Sequence, residues 1–201
     1  LVLPGGSLGN LVRIVTAFTI AHSLTLGAAA LDLVNVPAAP VEACGKLDVL
    51  CNVAAVLRFN HVTDISENEW RKVLDVNLSA PFFFAQAAIP HLLKTSGNIV
   101  NVASQAAQMG TAYIVPYAAS KAALAHMTKA MAMEYIHQPI RINAVAPGTM
   151  RTEIGEGVTR PDDLDMGLVQ RYSGLRPPSE PEDVAELVVF AASDRARAVH
   201  G

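Results

Sequence analysis

The sequence predicts a single α/β domain built on a doubly wound parallel sheet. Three short, continuous apolar runs have the pattern of strands buried on both faces, helix-type patterns separate them, and polar residues or Pro-Gly follow each run. The runs are "KLDVLCNVAAV" (46–56), "GNIVNVAS" (97–104) and "IRINAVAPG" (140–148). A length of 201 residues suits one domain, and 51% hydrophobic residues against 16% charged residues are enough for a large core.

A long helix is expected between the first and second strands. It should begin after Ser66, because Ser66 and Glu69 have the spacing of a capping box ahead of an apolar-periodic segment. The helix then runs through "RKVLDVNLSAPFFFAQAAIPHLLK". Two prolines lie inside that segment, so we expect a kink or a break near Pro81 and another near Pro90.

Two further helices complete the alternation of strands and helices. The Ala-rich segment "PYAASKAALAHMTKAMAMEY" (116–135) separates the second and third strands. The segment "SEPEDVAELVVFAASD" (179–194) should be a helix capped by Ser179 or Glu180, with Pro181 in its first turn. Sheets of this kind bind ligands beyond the carboxyl ends of their strands, which makes that edge the predicted site.

Composition excludes several other classes of function. A formal charge of -3 argues against a nucleic-acid-binding surface, which would be basic. Cys44 and Cys51 form neither a Cys-x-x-Cys pair nor a disulfide framework, so two buried thiols are expected. The six histidines have no metal-ligand spacing, and no metal is predicted.

Four polar residues form a candidate proton-handling site. Tyr117 and Lys121 are four residues apart and share a helix face, where an ammonium would lower the pKa of a phenol. Ser104 ends a predicted strand thirteen residues earlier and can hydrogen-bond a substrate oxygen. Asn77 is a poor helix former in mid-helix and could hold a water that connects to Lys121. Together these groups suit the interconversion of a carbonyl and an alcohol.

Each of these residues alone has a simpler interpretation. An isolated Tyr-x-x-x-Lys is more often a tyrosine at the core edge and a solvated lysine. Ser104 alone would be a turn residue, and Asn77 alone a local partner of the backbone. The prediction of a site therefore depends on their joint occurrence at strand and helix ends.

A series of segments in chain order resembles the short-chain dehydrogenase/reductase family, in its single-domain form, from about residue 45 to residue 201. The segments are "DVLCNVAAV", "DVNLSAPF", "GNIVNVAS", "YAASK", "RINAVAPGTMRT" and "SEPEDVAELVVFAASD". The resemblance implies a Rossmann-like sheet, NAD or NADP as the cofactor, and hydride transfer to or from an alcohol or ketone. It also implies a homo-oligomer in which the helices that carry Asn77 and Tyr117 form the interface.

The resemblance also implies roles for the matching residues. Tyr117 would be the general acid/base, and Lys121 would lower its pKa and bind the nicotinamide ribose. Ser104 would orient the carbonyl, and Asn77 would support a water relay. The cofactor would be lined by Asn52, Val53, Ala54, Tyr117, Lys121, Pro147, Gly148, Met150 and Thr152. The lid segment (residues 149–175) would cover the substrate, without indicating its chemical class.

Residues 1–44 are expected to be foreign to this fold, and the domain to extend over 45–201. Gly5 and Gly9 in "LVLPGGSLGNL" give only a partial phosphate-loop pattern, and Asp32 is a poor match for a ribose-binding acid. Residues 14–31 carry no formal charge over 18 positions, the lower limit for a membrane span, or form an ordinary buried helix. Residues 1–44 resemble part of a HupE/UreJ-type membrane protein. The sheet is therefore expected to be incomplete, with N-terminal strands and the last strand missing or degenerate and residues 1–3 as a possible fourth strand.

Three functional hypotheses remain open on the sequence. The first is an active NAD(P)-dependent oxidoreductase in the cytoplasm, acting on a small alcohol or ketone. The second is a noncatalytic remnant with impaired cofactor binding. The third is a protein associated with a membrane, which the sequence permits only through residues 14–31.

Overall fold

In the described residues the sheet has three parallel strands, as the apolar runs predict, and their order is β1-β2-β3. The structure is a computed structural model, and it describes residues 45–152, 158, 160–174 and 176–201. The strands are β1 (Val49–Asn52), β2 (Asn98–Val102) and β3 (Arg141–Val145). Each is shorter than its apolar run, and only β2 is buried throughout, whereas β1 and β3 are partly exposed. The fourth strand predicted from residues 1–3 lies outside the described residues.

Helices alternate with the strands along the chain. They are α1 (Glu67–Leu74), α2 (Ala80–Thr95), α3 (Val115–Glu134), α4 (Met166–Gln170) and α5 (Pro181–Ala192). A π-helical turn (Asp75–Ser79) joins α1 to α2. Short 3₁₀ turns are Val62–Asp64, Gln105–Ala107 and Asp194–Ala196. The doubly wound α/β prediction is therefore confirmed for the described part of the chain.

Helices cover both faces of the sheet. Ile99 of β2 belongs to a buried cluster that also contains residues of α2 and α3, and Asn101 donates a hydrogen bond of 2.9 Å to Thr128 of α3. Asn98 instead donates to the Ala192 carbonyl, at the end of α5, over 2.9 Å. Because side chains alternate along a strand, α2 and α3 lie on one face and α5 lies on the other.

The predicted start of α1 is half confirmed. Ser66 is the N-cap, and its hydroxyl accepts a hydrogen bond from the Glu69 N–H at 3.1 Å. The Glu69 carboxylate accepts a hydrogen bond from the Asn60 amide at 3.4 Å and not from the Ser66 N–H. At α5 the capping box is complete, with Glu180 as the N-cap and Asp183 as its partner.

The two prolines of the long helical segment behave differently. The π-helical turn ends just before Pro81, which occupies the first turn of α2, so the expected break is found there. Pro90 lies inside α2, and the helix continues through it to Thr95. Its ring faces outward and is exposed, so it does not disturb the packed face of the helix. Of the expected kink or break near Pro90, the break is therefore wrong.

Helix α2 is apolar because it packs in the core. Within the described residues, Glu67–Thr95 is long and apolar enough to cross a membrane by length and composition alone. Ala85 and Leu92 are fully buried in the cluster beneath the sheet, as expected for the core helix of a globular domain. The membrane-helix hypothesis for residues 14–31 lies outside the described residues.

The α2–β2 connection requires a glycine. A Cβ atom at Gly97 would collide with the Asp48 carbonyl oxygen and would lie 2.9 Å from a Leu92 methyl carbon. Because the two backbones approach closely, the Asn98 backbone N–H donates to the Asp48 carbonyl at 3.0 Å, and this bond starts the β1–β2 pairing. Within the described residues, Cys51 is a free, half-buried thiol on β1, and burial raises its pKa to about 11.

Candidate active site

Ser104 and Tyr117 meet at the carboxyl end of β2. Ser104 caps the 3₁₀ turn that follows β2, and its oxygen accepts a hydrogen bond from the Ala106 N–H at 3.1 Å. Tyr117 lies in the first turn of α3, which directs its half-buried ring toward the same edge of the sheet. The Ser104 side chain lies close enough to the Tyr117 phenol to lower its pKa. The structure therefore brings together two groups that are thirteen residues apart in the sequence.

Lys121 is the third member of this cluster. Its side chain is 2% exposed, and its Nζ donates a hydrogen bond of 2.6 Å to the Val102 carbonyl at the end of β2. The same nitrogen lies 5.8 Å from the centroid of the Tyr117 ring. One turn of α3 thus places an ammonium beside the phenol, as the four-residue spacing predicts.

The direction of the Tyr117 pKa shift differs from the sequence prediction. Burial raises the pKa of Tyr117 above its ordinary value, and the interaction with the Ser104 side chain offsets only part of that increase. Burial also lowers the pKa of Lys121 to about 8. Both shifts have one cause, because a low-dielectric environment disfavours whichever form carries charge. The expected net lowering of the Tyr117 pKa is therefore wrong for the chain as described.

Asn77 is fully buried in the π-helical turn. Its amide accepts from the Val56 N–H at 2.8 Å and donates to the Val56 carbonyl at 3.0 Å. It also donates to the Ser120 hydroxyl at 3.0 Å, and Ser120 donates to the Tyr117 carbonyl at 2.7 Å. Asn77 therefore joins the loop after β1 to the backbone of the first turn of α3.

The candidate cofactor-lining residues follow the three strand ends. Asn52 is 4% exposed, and its amide nitrogen donates to Asn101 at 2.8 Å, while its Oδ1 is buried without a hydrogen-bond partner. Val53 and Ala54 come next and are half-buried. The Pro147 carbonyl accepts a hydrogen bond of 2.8 Å from the Gln105 N–H, which fixes the segment after β3 against the 3₁₀ turn.

The rest of the predicted lining lies on the segment after β3. Gly148 is exposed, and a Cβ atom there would meet the Gln105 side-chain oxygen at 3.4 Å. Met150 pairs with Ser179 in an isolated parallel bridge, which fixes this segment next to the start of α5. Thr152 follows and is half-buried.

These residues fit the nicotinamide end of a dinucleotide. Asn52, Ser104 and Pro147 follow adjacent parallel strands and so share one edge of the sheet. An ammonium has three hydrogen-bond donors, and the Val102 carbonyl accepts one of those of Lys121. The partial phosphate loop at Gly5 and Gly9, and also Asp32, lie outside the described residues.

Several residues that shape this site are not indicated by the sequence motifs. Ser120 is buried and connects Asn77 to α3, and Gln105 donates to the Tyr172 carbonyl at 2.9 Å. Tyr113, in the loop that precedes α3, contacts the lid segment. Tyr172, in the lid segment, contacts that loop. A polar residue at the helical spacing of Tyr117 in an Ala-rich helix was a usable signal for Ser120, whereas the other contacts depend on tertiary structure.

Comparisons with known proteins agree with this architecture. Residues 30–201 match the family model described as Enoyl-(Acyl carrier protein) reductase, a match that begins before the predicted domain boundary at residue 45. The chain is 36% identical over 160 residues to meso-2,3-butanediol dehydrogenase of Serratia marcescens, covering 80% of this chain and 62% of that enzyme. It is 37% identical over 168 residues to 2,5-dichloro-2,5-cyclohexadiene-1,4-diol dehydrogenase LinX of Sphingobium indicum, covering 83% and 66%.

Solved structures give the same result. The structure matches a short chain dehydrogenase from Mycobacterium paratuberculosis bound to NAD with a TM-score of 0.71 and 28% identity, covering 80% of this chain and 62% of that one. The chain spans less than two thirds of the length of the curated relatives named above. The matched family model, the identities above 30% and the parallel sheet with its flanking helices agree, and the chain belongs to the short-chain dehydrogenase/reductase family.

Proposed function

We propose that the protein is an oxidoreductase that transfers a hydride between NAD(P) and an alcohol or ketone. The observation that carries this proposal is the convergence of a hydroxyl, a phenol and a buried ammonium at one edge of the sheet, formed by Ser104, Tyr117 and Lys121. The two relatives named above are dehydrogenases of diols, which supports an alcohol as one of the substrates.

Tyr117 is the proton donor and acceptor in the proposed mechanism. Its Oη gives a proton to the carbonyl oxygen during reduction and takes it from the hydroxyl during oxidation. Ser104, whose side chain interacts with the phenol, holds the substrate oxygen next to Oη. Lys121 is largely charged at neutral pH because its pKa is about 8, and its ammonium favours the phenolate. Bound NAD(P) would supply or accept the hydride.

The role of Asn77 in this mechanism is structural support for the relay. Its amide fixes both backbone groups of Val56 and, through Ser120, the first turn of α3. Water held near Asn77 would connect Lys121 to solvent, as the family resemblance implies. The residues that contact the nicotinamide end would be Asn52 to Ala54, Pro147, Gly148, Met150 and Thr152.

We also propose a homo-oligomer that acts in the cytoplasm. Phe82 and Phe83 of α2 are 40% and 60% exposed, and Met133 of α3 is 72% exposed. Exposed large apolar side chains such as these are typical of an association surface. Light scattering should therefore report the mass of two or more chains, and a mass of one chain at micromolar concentration would contradict this part of the proposal.

Cofactor binding is the first test of the proposed function. NAD(H) or NADP(H) at about 100-fold excess over Kd should stabilise the protein by about 2.7 kcal/mol. For a chain of this size that corresponds to a rise in Tm of roughly 5–10 °C. The measurement is a thermal-shift titration with each of the four nucleotides, and adenosine diphosphate serves as the ligand that lacks nicotinamide.

The titration separates an enzyme from a noncatalytic remnant. A rise in Tm with one nicotinamide nucleotide, larger than the rise with adenosine diphosphate, supports the enzyme and identifies the cofactor. An unchanged Tm at millimolar concentrations of all four nucleotides would favour the remnant.

A further inference from the structure

Tyr113 has an uncommon backbone conformation in the loop between Ser104 and Tyr117. Its φ angle is +67°, in the left-handed region that residues other than glycine rarely adopt. Its carbonyl accepts a hydrogen bond from the Asn60 N–H at 2.8 Å, and its phenol oxygen accepts one from the Asp165 N–H at 3.1 Å. Tyr113 therefore joins its own loop to the loop after β1 and to the lid segment.

Tyr172 makes a second connection between the lid segment and the same loop. Its hydroxyl donates a hydrogen bond of 3.1 Å to the Ala112 carbonyl. Burial raises the pKa of Tyr172, so its phenol keeps the proton that it donates. The two tyrosines thus make reciprocal bonds, one extending from the loop to the lid and the other from the lid to the loop.

The connected segments surround the reactive phenol. Leu164 of the lid segment is buried in an apolar cluster with Phe59 and Ile114, and the Tyr117 ring packs against that cluster. A shift of the lid would therefore change the surface that faces the substrate near Tyr117. Neither Tyr113 nor Tyr172 donates to or accepts from the predicted cofactor-lining residues through its phenol, since their phenol partners are Asp165 and Ala112.

The conformation of Tyr113 suggests why a tyrosine is present. Glycine would adopt a positive φ without a steric penalty, but it would supply neither the ring nor the hydroxyl that contacts Asp165. The ring also packs edge-to-face on His61, with centroids 5.2 Å apart. His61 in turn lies 3.2 Å from Asp163 of the lid segment. Strained backbone that is kept for its side chain is typical of a functional position.

We propose that Tyr113 and Tyr172 are positioning residues that fasten residues 160–174, the described part of the lid segment, next to Tyr117 and so determine the affinity for the alcohol or ketone. The substrate part of this inference rests on the proposed function. The lid part does not, because the two hydrogen bonds can be measured in the protein without any substrate.

The first experiment measures the two bonds by hydrogen exchange in the full chain. Tyr113→Phe keeps the ring and removes the acceptor of the Asp165 N–H, so exchange at that amide should become roughly two- to tenfold faster. Tyr113→Phe combined with Tyr172→Phe should speed exchange across described residues 160–174, while the amides of β2 remain unchanged. Tyr135→Phe, at the far end of α3, is the matched control and should change neither. Unaltered exchange at Asp165 in Tyr113→Phe would overturn the inference.

The second experiment measures kinetics with 2,3-butanediol and NAD. Each variant should raise KM for the diol roughly two- to tenfold, with kcat and the KM for NAD within twofold of the unmodified protein. A parallel rise in both KM values, or no change in either, would overturn the positioning role. If the unmodified protein does not oxidise this diol, the substrate proposal fails for that compound, and hydrogen exchange still decides whether the tyrosines fasten the lid.

Discussion

Replacing Tyr117 with phenylalanine should lower the turnover of an alcohol by about 10²–10⁴-fold, the range typical of a lost general acid/base. The substitution removes Oη and leaves the ring that packs against the cluster of Phe59, Ile114 and Leu164. Stability should therefore change little. The measurement is steady-state kinetics with NAD or NADP, together with a thermal-shift titration of the variant. Tyr135→Phe is the control for the loss of a tyrosine hydroxyl elsewhere on α3, and equal turnover in Tyr117→Phe and the unmodified protein would contradict the mechanism.

The pH dependence of the same reaction tests the contribution of Ser104. The Ser104 side chain lowers the pKa of Tyr117, against the larger effect of burial. Ser104→Ala removes that interaction, so the pKa should rise further. Alcohol oxidation needs the phenolate, and the rising limb of its pH profile should therefore move to higher pH in Ser104→Ala. A limb at the same pH would mean that a group other than Tyr117 controls it.

Local geometry explains why part of the site could be predicted from the sequence. Tyr117 and Lys121 share a helix face because they are four residues apart, and no tertiary information is needed to place them together. The position of Ser104 required one further step, the expectation that its apolar run was a strand whose end reaches the ligand-binding edge. The effect of the Ser104 side chain on the Tyr117 pKa agrees with that step.

The strands show the limits of an apolar pattern. The run at 46–56 is apolar beyond the four residues of β1, because the residues after Asn52 pack in the loop at the site instead of extending the ladder. The parallel direction of the strands followed from the alternation of strands and helices. Strand length did not, because it depends on where neighbouring backbones stop pairing.

The spacing of residues in the sequence does not show which of two opposing interactions is the stronger. The sequence shows an ammonium near a phenol, but it does not show that burial outweighs that attraction at Tyr117. It shows Glu69 at the spacing of a capping box, but not that Asn60 competes for its carboxylate. It also indicates that Asn77 is buried, while the choice of Val56 and Ser120 as its partners depends on the packing of distant loops.

Lys121→Met should make the protein more stable at neutral pH by about 2 kcal/mol while removing most of its activity. Burial lowers the pKa of Lys121 from its ordinary value of 10.5 to about 8. Below pH 8 the amine is charged in both the folded and the unfolded chain, and the folded chain carries the desolvation cost, about 3 kcal/mol for a shift of this size. Methionine has a similar shape without the charge. The Val102 carbonyl loses its partner, which offsets about 1 kcal/mol of the gain.

The same pKa makes the stability difference depend on pH. Between pH 8 and pH 10.5 the folded chain releases the Lys121 proton while the unfolded chain still binds it, so the free energy of unfolding contributed by this residue rises with pH. The advantage of Lys121→Met should therefore shrink and disappear across that window. Urea unfolding at pH 7 and pH 10 checks this, with Lys129→Met, at an exposed position on the same helix, as the control. A variant that is less stable than the unmodified protein at pH 7 would show that the buried ammonium does not lower the free energy of unfolding. A more stable but inactive variant would indicate that the fold retains the charged amine for its effect on the Tyr117 phenol, at the expense of stability.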